Sequence, residues 1–512
     1  MSAVDPDDYL DPSGEPRPGA PLGMLLSAYA ARAPERAALT VGETRLTRAE
    51  LEAAANRRAR QLADLGVGKD DRVVVALPNG RAFYEIVLAA WKLGAIPIHV
   101  SWRLTAPEFA EILALAEPRL VAGTAQAAEA AAAVDAIFLL DGGDPDPRLS
   151  PEPLPPKVGA SWKISTSGGS TGRPKLVIDP KPGVWGEEKG AQNRRAGATI
   201  VNPGPLYHSA PFGQMIPALC QGAHVVEMGR FDPERWLHLV DHHRADWAYL
   251  VPTMMARIAR LPAETLARYD ISCIETLVHM AAPCPDWVKE FWIDHLGPDA
   301  IWEIYGGTER FGATVINGRE WLDRPGSVGR PRTGNEIRIL DEAGAPLAPG
   351  EIGEIYFRRP GGPDSTFRYI GAEARRRDDW ASFGDLGWLD TDGYLYIADR
   401  RTDMIVSGGV NLYPAEIEAA IDLCAGVLGS VVVGVPDDDL GQSPHAIVQV
   451  EPERLATIGE AEILGQLRDR LAVTKHPRSV EFTADPIRDD AGKIRRAAWR
   501  EACVARMATP EA

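Results

Sequence analysis

Eleven residues, Ser165-Thr-Ser-Gly-Gly-Ser-Thr-Gly-Arg-Pro-Lys175, gather hydroxyls, glycines and a cation into one run behind the apolar-flanked Trp162-Lys163-Ile164. Glycine lets backbone N–H groups approach an anion closely, hydroxyls add donors, and a lysine adds charge, so the run has the makings of a phosphate cradle. It is not a Walker A loop, because Arg173 and Pro174 separate Gly172 from Lys175 and the required G-x-x-x-x-G-K-[ST] spacing is missing. Read alone, the same run is equally a flexible linker. Further chemistry-bearing strings lie downstream. They are Ile304-Tyr-Gly-Gly-Thr-Glu309, Ser382-Phe-Gly-Asp385, Ala398-Asp-Arg400-Arg-Thr-Asp403, Ser407-Gly-Gly-Val-Asn-Leu-Tyr-Pro-Ala-Glu-Ile-Glu418 and Gly492-Lys493-Ile-Arg495.

The elements that must position these strings follow an α/β rhythm. Val73–Leu77, Ala95–Val100 and Leu120–Ala122 are short apolar runs with the character of buried strands. Between them lie amphipathic stretches, two of them opened by capping boxes, Thr47-x-x-Glu50 and Thr105-x-x-Glu108. Strands alternating with helices of this length imply parallel βαβ units. The rhythm resumes after Lys175, with strands expected at Trp247–Leu250, Ile274–Val278 and Ala300–Tyr305. From Val328 to about Tyr369 short strands broken by Gly and Pro predict a small antiparallel barrel or sheet. A last α+β unit follows Arg400. The expected fold class is therefore α/β, with a large N-terminal domain of two βα-layered subdomains plus a small β-barrel, and a small mobile α+β C-terminal domain. The expected boundaries are 22–399 (subdomains 22–160, 161–325 and 326–399) and 400–512, with 1–21, rich in Pro, Asp and Gly, disordered.

Composition narrows the function classes. At 512 residues the chain holds several structural units, and a net charge of −17 argues against nucleic acid or an anionic membrane as the main partner. No run approaches a membrane span, which predicts no membrane insertion. Five scattered cysteines without a C-x-x-C pair, and an acidic N-terminus in place of an export signal, predict a cytoplasmic location.

In their order along residues 22–500, these strings resemble the signature set of the adenylate-forming enzymes: acyl-CoA synthetases, peptide-synthetase adenylation domains and beetle luciferases. Any one of them is a weak signal, and the ordered set is a specific one. The resemblance implies ATP (leaving as AMP), Mg2+ and coenzyme A. Thr166, Ser167, Gly168, Gly169, Ser170, Thr171, Gly172 and Lys175 would then hold phosphates, with Thr308 beside them. Glu309 would bind the metal, which takes oxygen ligands and usually shares them with substrate phosphates. Tyr305 would offer an aromatic face to the adenine, Ala281, Ala282 and Pro283 would line its other side, and Glu303, Gly306 and Gly307 would belong to the same cofactor-binding set. Asp385 would accept both ribose hydroxyls and Arg400 would donate to the same sugar. Lys493 would bridge the carboxylate and α-phosphate, a task suited to a mobile point donor. Asp403 matches the family hinge, about which Ser407, Gly408 and Gly409 would swing in to line a tunnel for the pantetheine thiol. Taken one at a time, Glu309, Asp385 and Arg400 also read as solvated surface groups, and Lys493 as part of a wet basic helix face.

Pro205-Leu-Tyr-His208 resembles the Pro-Leu-Phe-His string of acyl- and aryl-CoA synthetases, which makes His208 a gate to the acyl pocket. Amino-acid-activating relatives carry an Asp shortly after this point, whereas Ser209–Gly213 has no acid. An apolar small-molecule carboxylic acid is the expected partner. The wording of the first motif resembles the ligases of bulky acids such as bile acids, which points toward a polycyclic or branched acid. Trp185, Phe212, Met215 and Met280 fit an apolar pocket and fit ordinary core equally. Two departures stand out: Gly168 replaces a hydroxyl, and Met280-Ala281-Ala282-Pro283 replaces the more usual Gly-Gly-Ala-Pro. The alternatives left open are a relative limited to one half-reaction, such as thioester formation from supplied acyl-AMP, and one that loads a carrier protein. A homodimer is also left open.

Overall fold

The computed structural model describes residues 4–168, 174–186, 192–408, 410–437, 439–468, 470–489 and 492–507. They form two compact units, one of residues up to Asp323 together with Arg359–Ala374, the other of Arg324–Arg358 together with Arg375 onward.

The first unit is layered α/β. Its seven-stranded sheet runs in the order Arg368–Ile370, Pro174–Ile178, Ile164–Gly168, Ile96–His99, Arg72–Ala76, Leu120–Gly123, Ile137–Leu140. The five strands from Ile164–Gly168 to Ile137–Leu140 pair in parallel, while Pro174–Ile178 and Arg368–Ile370 add an antiparallel edge. Parallel strands are covered on both faces, which is why Val73, Val74 and Val75 form an unbroken apolar run, all fully buried. Phe109, Ile112 and Leu113 from the helix Ala106–Ala116 pack on this core with Ile98, Val121 and Ile164. Each such side chain contributes about 1.5–3 kcal/mol on burial. The helix Arg48–Asp64 begins at the expected box: Thr47 Oγ1 accepts the Glu50 N–H at 3.2 Å and Glu50 accepts the Thr47 N–H at 2.8 Å. A second sheet sets Trp247–Leu250, Thr276–Met280 and Ile301–Gly306 in parallel, with Ala313–Asn317 antiparallel to the last. A four-stranded sheet of Thr44–Thr47, Ala37–Val41, His224–Glu227 and Thr199–Asn202 completes the unit.

In the second unit, Ser327–Pro331, Glu336–Leu340, Gly353–Arg358, Asp385–Leu389 and Leu395–Arg400 form an antiparallel sheet. After it come the hairpin Ile405–Ser407/Val410–Leu412 and a three-stranded sheet of Val427–Asp437, Gly441–Val450 and Ser479–Thr483. That sheet packs through Val432, Ala446 and Val448 against Ile417 and Ile421 of the helix Pro414–Asp422, and through Val431, Val433 and Ile447 near Cys503 of the helix Arg496–Met507.

Two expectations need correction. Residues 4–21 are folded, with a 3-10 turn at Pro6–Asp8 capped by Asp5, a bridge between Leu10 and Pro16, and Leu10 fully buried. Composition misleads there because a single apolar anchor and local caps organise a polar segment. The compact units also do not divide at 399/400. Residues 375–399 belong with the C-terminal part, joined by the Ala415 N–H bonded to Asp399 Oδ2 at 2.8 Å. Residues 359–374 return to the first unit, because Arg368–Ile370 pairs with Pro174–Ile178. Among the described residues no helix is long and apolar enough to cross a membrane, and the five cysteines form no disulfide.

Candidate active site

The strand Ile164–Gly168 leads into the phosphate motif, and Pro174–Ile178 leaves it antiparallel, with Ser167 opposite Lys175 and Gly168 opposite Pro174. Residues 169–173, which include Gly169, Ser170, Thr171 and Gly172, lie outside the described residues, as does Gly409. Lys175 Nζ donates to Glu309 Oε1 at 3.3 Å and to the Tyr369 hydroxyl at 2.9 Å, and the hydroxyl donates in turn to Glu309. A positive charge thus already stands against the Glu309 carboxylate. The Glu309 carboxylate supplies oxygen atoms of the kind a divalent cation takes, at a place where it now holds the Lys175 ammonium. Tyr369 was not legible in the sequence: it comes from the short strand that returns to the sheet, 194 positions from Lys175.

Glu309 follows the strand Ile301–Gly306, which ends in Tyr305 and Gly306, and Thr308 lies in the turn between them. Arg310 has φ +57° and reaches toward Asp179 at 3.9 Å. The neighbouring strand Thr276–Met280 ends at Ala281, which has φ +78°, a left-handed backbone rare for a residue with a Cβ. Ala282 and Pro283 continue from it, Ala281 and Pro283 being exposed. Glu303 does not fit the nucleotide-facing place expected of it. Its carboxylate is buried in an ion pair with Lys289 of the helix Asp286–Leu296. A charge buried this deeply needs a partner, and Lys289 is that partner.

His208 is the N-cap residue of the helix Ser209–Cys220, with the Tyr207 ring against it and Phe212 and Met215 buried along the helix. Sequence reading also passed over a polar cluster beneath this helix. Lys163 Nζ, fully buried, donates to Ser165 Oγ at 2.8 Å and to Ser209 Oγ at 3.1 Å. His99 Nε2 lies 2.8 Å from Ser165 Oγ. The available signal was a lysine placed in an apolar lead-in to the phosphate strand.

In the second unit, Asp385 and Arg400 are register partners on adjacent strands, with Arg400 Nε 3.3 Å from the buried Asp385 carboxylate. Arg400 O accepts the Asp403 N–H at 3.0 Å. Asp403 Oδ2 receives Arg496 Nε at 3.0 Å, and Arg496 also pairs with Glu418 and donates to Val432 O at 2.6 Å. Burial pushes the neighbouring Asp399 carboxyl up to about 6. Ser407 ends its hairpin strand and Gly408, at φ +57°, makes the turn. Lys493 is exposed, on a loop where its N–H bonds to Asp489 Oδ1 at 2.9 Å and Gly492 has φ +76°. Among the described residues one further group could hold a metal, His445, Glu481 and Cys503. The Arg506 guanidinium already sits there, 2.8 Å from Glu481 and 3.3 Å from the Cys503 sulfur.

The model of the AMP-binding enzyme family matches residues 26–363, and that of the AMP-binding enzyme C-terminal domain matches residues 416–493. The chain belongs to the AMP-binding enzymes. It is similar to a feruloyl-CoA synthase of an Amycolatopsis species, 34% identical, covering 92% of this chain and 97% of that one. It is similar as well to a 7a-methyl-1,5-dioxo-octahydro-indenyl-propanoyl:CoA ligase of Rhodococcus jostii, 30% identical, covering 91% and 96%. Among solved structures the ATP-bound MatB of Rhodopseudomonas palustris matches with a TM-score of 0.78 at 27% identity, covering 94% of this chain and 99% of that chain. This AMP-binding enzyme is an ATP-dependent, AMP-forming acid–thiol ligase that uses ATP, Mg2+ and coenzyme A.

Proposed function

We propose that this acyl-CoA ligase activates an apolar, ring-bearing carboxylic acid, between a cinnamic acid and a fused polycyclic acid in size. The observation that carries the reading is the composition around His208. Tyr207 is buried beside it, Phe212 and Met215 are buried along the helix that it caps, and no carboxylate occurs between Tyr207 and Gln221 to pair a substrate ammonium. An apolar wall with few polar groups selects by shape and burial, and rejects a charged side group. Relatives named for feruloyl, indoleacetate and indenyl-propanoyl substrates support a ring.

The roles proposed for the chain's residues follow from what each can offer. Thr166 and Lys175 face the phosphates, and Glu309 is the residue to hold Mg2+, which neutralises phosphate charge when bound. Tyr369 keeps Lys175 and Glu309 oriented. Tyr305 and the Ala281–Pro283 segment flank the adenine, and Asp385 with Arg400 takes the ribose. Lys493 stabilises the charge that develops as the carboxylate attacks the α-phosphorus, with pyrophosphate leaving. The thiol of coenzyme A then attacks the acyl carbon along Ser407 and Gly408, and AMP leaves. Asp403 is the hinge between the two half-reactions.

The test is acid-dependent exchange of labelled pyrophosphate into ATP, across fatty, cinnamic, indole and steroid-sized acids, in wild type and Lys493→Ala. Ring-bearing acids are expected to give the highest kcat/KM, with exchange lowered about 10²–10³-fold in the variant, the usual effect of removing one transition-state donor. A preference for straight-chain acids would reject the ring. Undiminished exchange in Lys493→Ala would reject the lysine's role.

A further inference from the structure

The polar cluster under the His208 helix has a defined direction. His99 Nδ1 lies 2.8 Å from the Tyr207 carbonyl, which can only accept, so Nδ1 carries the proton. A second proton on His99 would bury another positive charge next to Lys163, so Nε2 stays bare and accepts from the Ser165 hydroxyl at 2.8 Å. The Ser165 oxygen is then left to accept from Lys163 at 2.8 Å. The same ammonium donates to Ser209 at 3.1 Å and lies over the Trp162 and Phe212 rings, 5.1 and 6.0 Å from their centroids. The His99 imidazole stacks on Phe212 at 4.4 Å. The His99 carbonyl, on the strand's other side of the chain of bonds, accepts from Thr166 Oγ1 at 3.3 Å.

Two places are tied together by these bonds. One is the start of the phosphate motif, through Ser165 and Thr166. The other is the turn of chain on either side of His208, through the Tyr207 carbonyl and the Ser209 hydroxyl. A buried lysine with both acceptors supplied is an expensive way to fill a core, and a methionine would fill the same volume.

We propose that Lys163 is a positioning residue for adenylation: through Ser165, His99 and Ser209 it fixes the spacing between the start of the phosphate motif at Ser165 and Thr166 and the His208 turn that faces the acid. Bringing a carboxylate to the α-phosphorus depends on that spacing, and a displacement of about 1 Å costs about 10²-fold in rate. The charged groups bearing on Lys163 are Arg310, Asp179 and Glu309; burial and Arg310 hold its ammonium down to about 7, against the pull of Asp179 and Glu309.

The proposal rests on the reading of His208 as facing the acid. Lys163→Met keeps the stem and removes the donors. With the best acid from the wild-type panel, kcat for pyrophosphate exchange is expected to fall about 10- to 100-fold, with KM for ATP and acid within about threefold. Conversion of the supplied acyl-AMP to acyl-CoA is expected to stay near wild type, since the bond to phosphate is already made. Ser209→Ala and Ser209→Thr, which differ in the hydroxyl, give the second measurement and decide the matter if Lys163→Met does not fold. Thr is expected to keep exchange and Ala to lose several-fold. Equal loss of both half-reactions in Lys163→Met, unchanged exchange, or identical behaviour of the two Ser209 variants would overturn the proposal. Absence of exchange in wild type with every acid would overturn the acid reading itself, and this one with it.

Discussion

The two units hold their functional cations in opposite ways. In the first, Lys175 is fixed at its charged tip by Glu309 and Tyr369, and Lys163 is buried outright. In the second, Lys493 stands exposed on a loop anchored through its backbone. The ordering contacts lie three residues later, where Arg496 binds Asp403, Glu418 and the Val432 carbonyl. One unit holds its cations in fixed contacts, which is the arrangement that the proposed stabilisation of phosphate charge calls for. The other leaves Lys493, the lysine proposed to react, exposed on a loop and places its buried ion pairs at Arg496.

The contrast breaks most visibly at Arg496. Its side chain is 14% exposed and Glu418 is 7% exposed, so Arg496→Met strands a buried carboxylate, at about 3–5 kcal/mol. Peptide-resolved hydrogen exchange is expected to show Val427–Asp437 opening more readily and the first unit unchanged. Lys175→Met leaves the buried Glu309 carboxylate the Tyr369 hydroxyl as a partner, and is expected to destabilise the first unit less, by about 1–2 kcal/mol. Equal destabilisation by the two variants would erase the contrast.

A smaller effect sharpens it through pH. Burial raises the Asp399 carboxyl to about 6 from its ordinary 3.8, so the folded second unit holds that proton more tightly than the unfolded chain. Its contribution is complete below about 3.8 and is lost as pH rises through about 6. His224 in the first unit is pushed down to about 4 by burial and by His243 and Arg45. Its contribution is complete above about 6.5 and is lost as pH falls through about 4. Between pH 4 and 6, slow-exchanging amides of the two units should therefore shift in opposite directions. Asp399→Asn and His224→Gln are each expected to flatten the slope of their own unit. Parallel slopes in wild type would contradict these assignments.

What the sequence made legible is written locally. The caps at Thr47 and Thr105 need only neighbours three residues on, and the motif strings carry their own donors and acidic groups. What escaped depends on distance along the chain. Tyr369 reaches Glu309 only because a three-residue strand returns to a sheet edge. Lys163 reads as a flanking charge until Ser209, 46 positions later, is folded onto it. Glu303 looked available because nothing in its own stretch shows the Lys289 that neutralises it. The boundary near 399/400 failed for the same reason: strand pairing, and not composition, decides to which unit residues 359–399 belong.

The smallest expected effect concerns backbone strain. Beside the residues proposed to serve the second unit's chemistry the left-handed turns hold glycine, Gly408 at φ +57° and Gly492 at φ +76°, whereas the first unit places Ala281 at φ +78° in the segment proposed to flank the adenine. A left-handed non-glycine residue costs about 1–2 kcal/mol, and glycine gives back about 0.5–1 kcal/mol through its freer unfolded chain. Ala281→Gly is therefore expected to stabilise the first unit by about 0.5 kcal/mol, read as a raised urea midpoint with unchanged slope. The same change removes a methyl group from an exposed position, so packing offers no compensating loss. If the midpoint falls instead, the left-handed turn at Ala281 is held by contacts of its methyl group. The contrast between a strained cradle and a relaxed, glycine-hinged partner would then have to be drawn at Arg310, the other non-glycine residue at positive φ beside Glu309.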